Sequence, residues 1–90
     1  MISFAKCVVE FIGTFIFISV ILTTGAAIPI GISLTAVIFF GSNVSGAHFN
    51  PAVSLVMYLK GKLDAVNLSG YVSAQLLGGV AAYYFNKVNG

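Results

Sequence analysis

The chain has 90 residues, 59% of them hydrophobic and 7% charged, with a formal net charge of +2. A soluble domain carries about 25% charged residues, so this composition excludes an ordinary water-soluble globule and reads as an integral membrane protein. Four scattered lysines make no basic patch and exclude nucleic acid as a partner. The one cysteine, Cys7, excludes an intrachain disulfide and reads as a small packed side chain.

The charges are Lys6, Glu10, Lys60, Lys62, Asp64 and Lys87, and residues 11–59 carry none. A crossing takes about 20 apolar residues, so that stretch holds at least two. The first predicted span covers 4–24. Its apolar run from Cys7 to Thr24 exceeds the roughly 7–15 residues of a signal-peptide core and includes Glu10, so it is expected to be retained. Small residues Gly25, Ala26 and Ala27 turn the chain. Pro29 then opens a second span, 29–43, at a position where its missing N–H costs little.

Gly41 to Gly46 interrupts that helix with glycines and polar residues. The run Ser45-Gly46-Ala47-His48-Phe49-Asn50-Pro51-Ala52-Val53-Ser54 follows. Asn is a favoured N-cap and Pro a favoured first helical residue, so a helix starts at Asn50, still within membrane-grade sequence. Residues 51–59, at 1.5 Å rise each, reach about 13 Å, roughly half of a 30 Å hydrocarbon core. This is a re-entrant half-helix. Free N–H groups at a helix start in mid-membrane are tolerated only where they are buried in protein or line a watery cavity. The run therefore points to a pore or binding site at the bilayer midplane.

Lys60-Gly61-Lys62 returns the chain to the aqueous interface. Asp64 opens the third span, 64–86, where a carboxylate complements the helix dipole. Gly70, Ala74, Gly78 and Ala82 recur every fourth residue and make a small face for close helix packing in lipid; Gly13 and Gly31 can serve the first two spans in the same way. Gln75, in the apolar third span, is expected to bond across helices rather than to contact solute. The expectation is one domain, 1–90, all-α, with three transmembrane helices and one half-helix.

One His and one Cys are too few for a metal site. No nucleophile, base and orienter occur as a set. No enzyme, no metal and no cofactor are expected.

Several of these segments resemble one family in order and spacing, from about residue 5 to 86. Glu10-Phe11-Ile12-Gly13-Thr14-Phe15 is similar to the first-helix signature of the aquaporin and glycerol-facilitator family (the major intrinsic proteins). The run from Ser45 to Ser54 resembles its first NPA loop, and Tyr71, Ala74, Gln75 and Gly78 its third-helix pattern. The resemblance implies a passive channel for water and small neutral solutes such as glycerol. Asn50, Pro51 and Ala52 become the pore centre, with the Asn50 oxygen capping the half-helix and its NH2 donating to passing solute. Glu10 becomes the brace of the NPA loop; the competing reading is an interfacial Glu paired with Lys6 at spacing i, i+4. His48 takes the place of the loop histidine, a structural group. By family spacing, Ile30, Ile38, Ala47 and Val53 line an apolar constriction without an arginine.

Family members fuse two such halves, inverted in the membrane, and this sequence resembles only the first. The second half is then expected from another copy or another protein. Lys6, Lys60 and Lys62 fall on one side of three spans and Lys87 on the other. The positive-inside rule makes the three-lysine side cytoplasmic, but so small a bias allows both orientations. An inverted homodimer, four of which make a tetramer of pores from eight chains, is one expectation; a partner carrying the second half is another. A non-conducting structural or adhesive membrane protein, or a truncated channel remnant, is the alternative function.

Overall fold

The computed structural model describes residues 1–90 as four α-helices without strands: α1 (Phe4–Thr24), α2 (Ala27–Gly41), α3 (Pro51–Leu59) and α4 (Ala65–Asn89). Helix α1 runs over the expected 4–24. Ser3 caps it by accepting from the Lys6 N–H, and Gly25, in the left-handed region at φ 57°, closes it by donating to the Ile21 carbonyl. At 21 residues and a mean hydropathy of 2.1, it is the one helix long and apolar enough by itself to cross a membrane.

Helix α2 departs from the expected 29–43 at both ends. It begins two residues earlier, because Pro29 is tolerated anywhere in the first turn, where N–H groups have no helical partner. It ends at Gly41, since the N–H groups of Val44 and Ser45 both fold back onto the Gly41 carbonyl. Its 15 residues reach about 22 Å, short of a full hydrocarbon core.

Helix α3 occupies the expected 51–59. Asn50 stands before it in extended geometry, φ −160°, and accepts from the Ala52 N–H. Gly61, at φ 77°, turns the chain out of α3. Asp64 lies outside α4, not in its first turn, and caps it by accepting from the Asn67 N–H at 2.7 Å. The helix then continues to Asn89, beyond the expected 86, with Lys87 in its last turn, where a cation complements the dipole.

The backbone of the fold is α1 laid along α4, with α2 against α1 and α3 against α4. Gly70, Ala74, Gly78 and Ala82 are all buried on the α4 face. A Cβ added at Gly78 would stand 2.6 Å from the Phe11 carbonyl oxygen and 3.2 Å from the Phe15 nitrogen, so only glycine lets the two backbones approach this closely. Gly13 and Gly31 do not pack helices together. A Cβ at Gly13 would overlap the Phe49 ring of the loop, and Gly31 faces open space.

Only 15 of 90 residues are buried. The apolar core is a small cluster of Val37, Ala47 and Phe49, with Val9 and Leu34 against it. Large apolar side chains such as Phe39, Phe40, Leu59 and Leu77 are exposed. A water-soluble chain would pay heavily for such a surface, whereas in hydrocarbon it is the matching one.

Candidate functional site

Glu10 lies two turns into α1 and is completely buried. Its Oε1 accepts from the Phe49 N–H at 2.7 Å and from Gln75 Nε2 at 2.8 Å. Its Oε2 accepts from the His48 N–H at 3.0 Å and from Ser45 Oγ at 2.7 Å. The carboxylate thus ties two backbone amides and a hydroxyl of the loop to α1 and α4. None of its hydrogen bonds involves Lys6, so the i, i+4 pair is not formed. Four charge-assisted donors hold a buried carboxylate that no cation neutralises.

The network runs on beyond Glu10. Gln75 Nε2 also donates to Ser54 Oγ at 2.9 Å, and Ser54 Oγ lies 2.8 Å from His48 Nδ1. Glu10 can only accept, so Gln75 presents its NH2 to both Glu10 and Ser54. With Gln75 donating, the Ser54 hydroxyl proton has His48 Nδ1 as its acceptor, which assigns the His48 proton to Nε2. Tyr71 OH donates to the Ser45 carbonyl at 2.6 Å, and the Tyr71 and His48 rings lie 5.0 Å apart.

This bracing holds a contorted loop. Ala47 and Phe49 have positive φ, 56° and 54°, and Gly46 has φ 88°, geometry that costs a non-glycine residue roughly 1–3 kcal/mol. The Phe49 ring is 3% exposed and is seated against Gly13 and Gly41. The same twist leaves the carbonyls of Gly46, Ala47, His48 and Phe49 without any hydrogen bond in the chain.

Asn50 is exposed at the free end of α3. Its Oδ1 accepts from the Ala52 N–H at 2.8 Å, and its NH2 has no partner in the chain. Pro51 and Ala52 are exposed beside it. These groups border a groove of about 480 Å³ whose walls include Thr14, Phe17 and Gln75. The site therefore offers one amide donor and a helix N-terminus, and the loop leading into it leaves four carbonyls free, groups able to exchange hydrogen bonds with a small polar solute. The one hydroxyl–imidazole pair here, Ser54 Oγ and His48 Nδ1, is tied into the bracing network with Ser54 fully buried, and no group of three or more His, Cys, Asp or Glu comes together.

The four constriction residues do not gather at one level. Ile30 and Ile38 are eight residues apart on α2, about 12 Å along its axis. The Ala47 side chain is packed in the Val37–Phe49 cluster, so only its carbonyl is free. Val53 is half-buried in the first turn of α3, and Ile38 is exposed.

Residues 1–88 match the family described as Major intrinsic protein. The chain belongs to that family. Among similar family members, a "Glycerol uptake facilitator protein-like 6" of Lactiplantibacillus plantarum is 33% identical, over 86% of this chain and 40% of the relative. Human "Aquaporin-10" is 37% identical, over 86% of this chain and 31% of its own length. "Aquaporin Z" of Brucella melitensis is 41% identical, over 64% of this chain and 25% of its own length. The chain thus spans a quarter to two-fifths of the curated relatives it matches. No solved structure gives a significant match. Membership in the major intrinsic protein family makes this an integral membrane protein.

Sequence reasoning missed Ser45, Ser54 and Phe49 as parts of the site. A serine is common in loops and at helix starts, so neither stood out. The available signal was the carboxylate of Glu10 in an apolar span, which demands hydrogen-bond donors once it is buried.

Proposed function

We propose that the chain is a subunit of a passive membrane channel for water and small uncharged solutes such as glycerol. In this reading α1, α2 and α4 cross the bilayer and α3 is the re-entrant half-helix. The observation that carries it is the free NH2 of Asn50, held at the exposed N-terminus of α3 by a loop that a buried Glu10 braces. Asn50 donates to a passing solute, the free loop carbonyls accept from it, and the positive end of α3 repels cations. Ile30, Ile38 and Val53 supply apolar wall at different depths. Glycerol and water channels among the relatives are consistent with this solute class.

The half-site is open on the Asn50 side, and a second half-repeat in inverted orientation closes it. A second copy or a chain carrying the other half can supply it; with copies alone, four pores take eight chains. Stopped-flow shrinkage of proteoliposomes is the test. Osmotic water flux well above that of empty liposomes is expected, and equal flux would end the channel reading. Asn50→Asp keeps the cap oxygen but removes the donor, so it should lower flux while leaving helicity intact; a non-conducting structural protein would show no flux in either form.

A further inference from the structure

A second polar site lies on the lysine-rich side of the fold, away from the Asn50 groove. It is a pocket of about 350 Å³ whose walls include Lys6, Lys62, Gly46, His48 and Tyr71. Lys6 comes from the first turn of α1, Lys62 from the turn after α3, and His48 from the braced loop. No acidic side chain lines it. The nearby Glu10 is fully buried and saturated by its four donors. The other acid, Asp64, is engaged as the α4 cap through Asn67.

The free polar side chains lining this pocket are donors, while the Gly46 and His48 carbonyls of the same loop have no partner in the chain. Lys6 and Lys62 line it, and their flexible stems let the ammonium groups turn toward a bound anion. His48 Nδ1 is taken by Ser54, so the proton that the network assigns to Nε2 belongs to the nitrogen with no partner in the chain. The Tyr71 hydroxyl is committed to the Ser45 carbonyl and does not compete. The depth also matters. Lys60-Gly61-Lys62 is where the chain leaves the half-helix for the interface, the level of lipid headgroups.

We infer that this pocket binds the phosphate of an anionic phospholipid headgroup, with Lys6 and Lys62 supplying charge and His48 a hydrogen bond. The phosphate could equally belong to a soluble anion by its chemistry. The Lys60-Gly61-Lys62 turn at headgroup depth, next to a chain surface rich in exposed apolar side chains, commits the site to a lipid. Two lysines at the strength typical of anionic surfaces give about a 30-fold preference over a zwitterionic headgroup. The headgroup would also lie against Gly46 and His48 and so narrow the loop's mouth; that consequence rests on the channel reading above.

The full chain, reconstituted in vesicles of equal phosphatidylcholine and phosphatidylglycerol, is extracted and its retained lipids are counted by native mass spectrometry. Wild type should retain phosphatidylglycerol strongly over phosphatidylcholine. The Lys6→Gln/Lys62→Gln pair should lose that preference, while Lys60→Gln, outside the pocket, and Lys87→Gln, at the far end, keep it. Equal retention of the two lipids, or a loss with Lys60→Gln as large as with the pair, overturns the site. Displacement of phosphatidylglycerol by inorganic phosphate, but not by chloride at equal ionic strength, overturns the lipid in favour of a soluble anion. Water flux measured on the same vesicles should be lower with phosphatidylglycerol present for wild type and insensitive to it for the pair; equal flux in both overturns the narrowing. If no variant conducts, the channel reading falls while lipid retention still decides the site.

Discussion

A single carboxylate organises the loop. Glu10 accepts two backbone N–H bonds, a serine hydroxyl and a glutamine amide, and each oxygen has two donors. Glu10→Gln replaces one oxygen with an NH2 that faces two donors. At about 1–3 kcal/mol for each buried donor left unsatisfied, the loss is roughly 3 kcal/mol. Unfolding by denaturant in detergent should show a lower midpoint, and Asn50 should lose its fixed position. An unchanged midpoint would mean that the loop holds its shape without the carboxylate. Phe49 adds the steric half of the brace, since its ring fills the notch that Gly13 and Gly41 leave open. Gly13→Ala should therefore cost about 1–3 kcal/mol, read from the same denaturant curves, although alanine is the better helix former.

Helix starts and helix faces set the next level. At the start of α4, the Asp64 carboxylate accepts from the Asn67 backbone N–H and side-chain amide, and the backbone bond first, then the side-chain bond, hold its pKa below the ordinary 3.8. A depressed carboxylate stabilises the fold above its unfolded pKa, and that contribution fades as pH falls through the folded value. Stability should thus be level from pH 7 to about 5 and decline only below the ordinary carboxylate range, and Asp64→Asn, which keeps a cap oxygen, should flatten the decline at this helix. A thermal-melt series against pH, wild type beside the variant, checks this. On the packing face, Gly78→Leu places a side chain where the Phe11 carbonyl already stands 2.6 Å from a bare Cβ. The α1–α4 pair must separate, at a cost of at least about 1–3 kcal/mol. A cysteine pair across the two helices would then cross-link more slowly than in the parent.

At the scale of the whole molecule, exposure is the message. Fifteen buried residues of 90 cannot stabilise a free monomer in water, and α2 is too short to span alone. Lipid covers part of that surface, and under the channel reading proposed above a second half covers the Asn50 side. If α1, α2 and α4 cross the bilayer as proposed, Lys6, Lys60 and Lys62 share one side and Lys87 takes the other, a weak orienting signal. Tags at each terminus, probed from both sides of the membrane, should report both orientations if copies pair in inverted fashion. A single fixed orientation would rule out the inverted homodimer.

The membrane class, the helix order and the start of α3 were readable from residue types alone, because each is local. An uncharged run of this length has one suitable solvent, and Asn-Pro starts a helix whatever surrounds it. Helix ends were less readable: Pro29 is compatible with several positions in a first turn, and the fold-back of Val44 and Ser45 onto the Gly41 carbonyl leaves no mark in residue types. The partners of Glu10 were beyond the reach of local reasoning. Ser45, His48, Phe49 and Gln75 lie 35 to 65 residues away in sequence, and a carboxylate in a span can equally pair with Lys6 one turn away until burial removes that choice. Packing decided it, since Gly78 lets α1 approach α4 closely enough for Gln75 to reach Glu10. Family spacing names positions on a chain, whereas depth along α2 separates Ile30 from Ile38 and the Ala47 methyl packs with Val37 and Phe49.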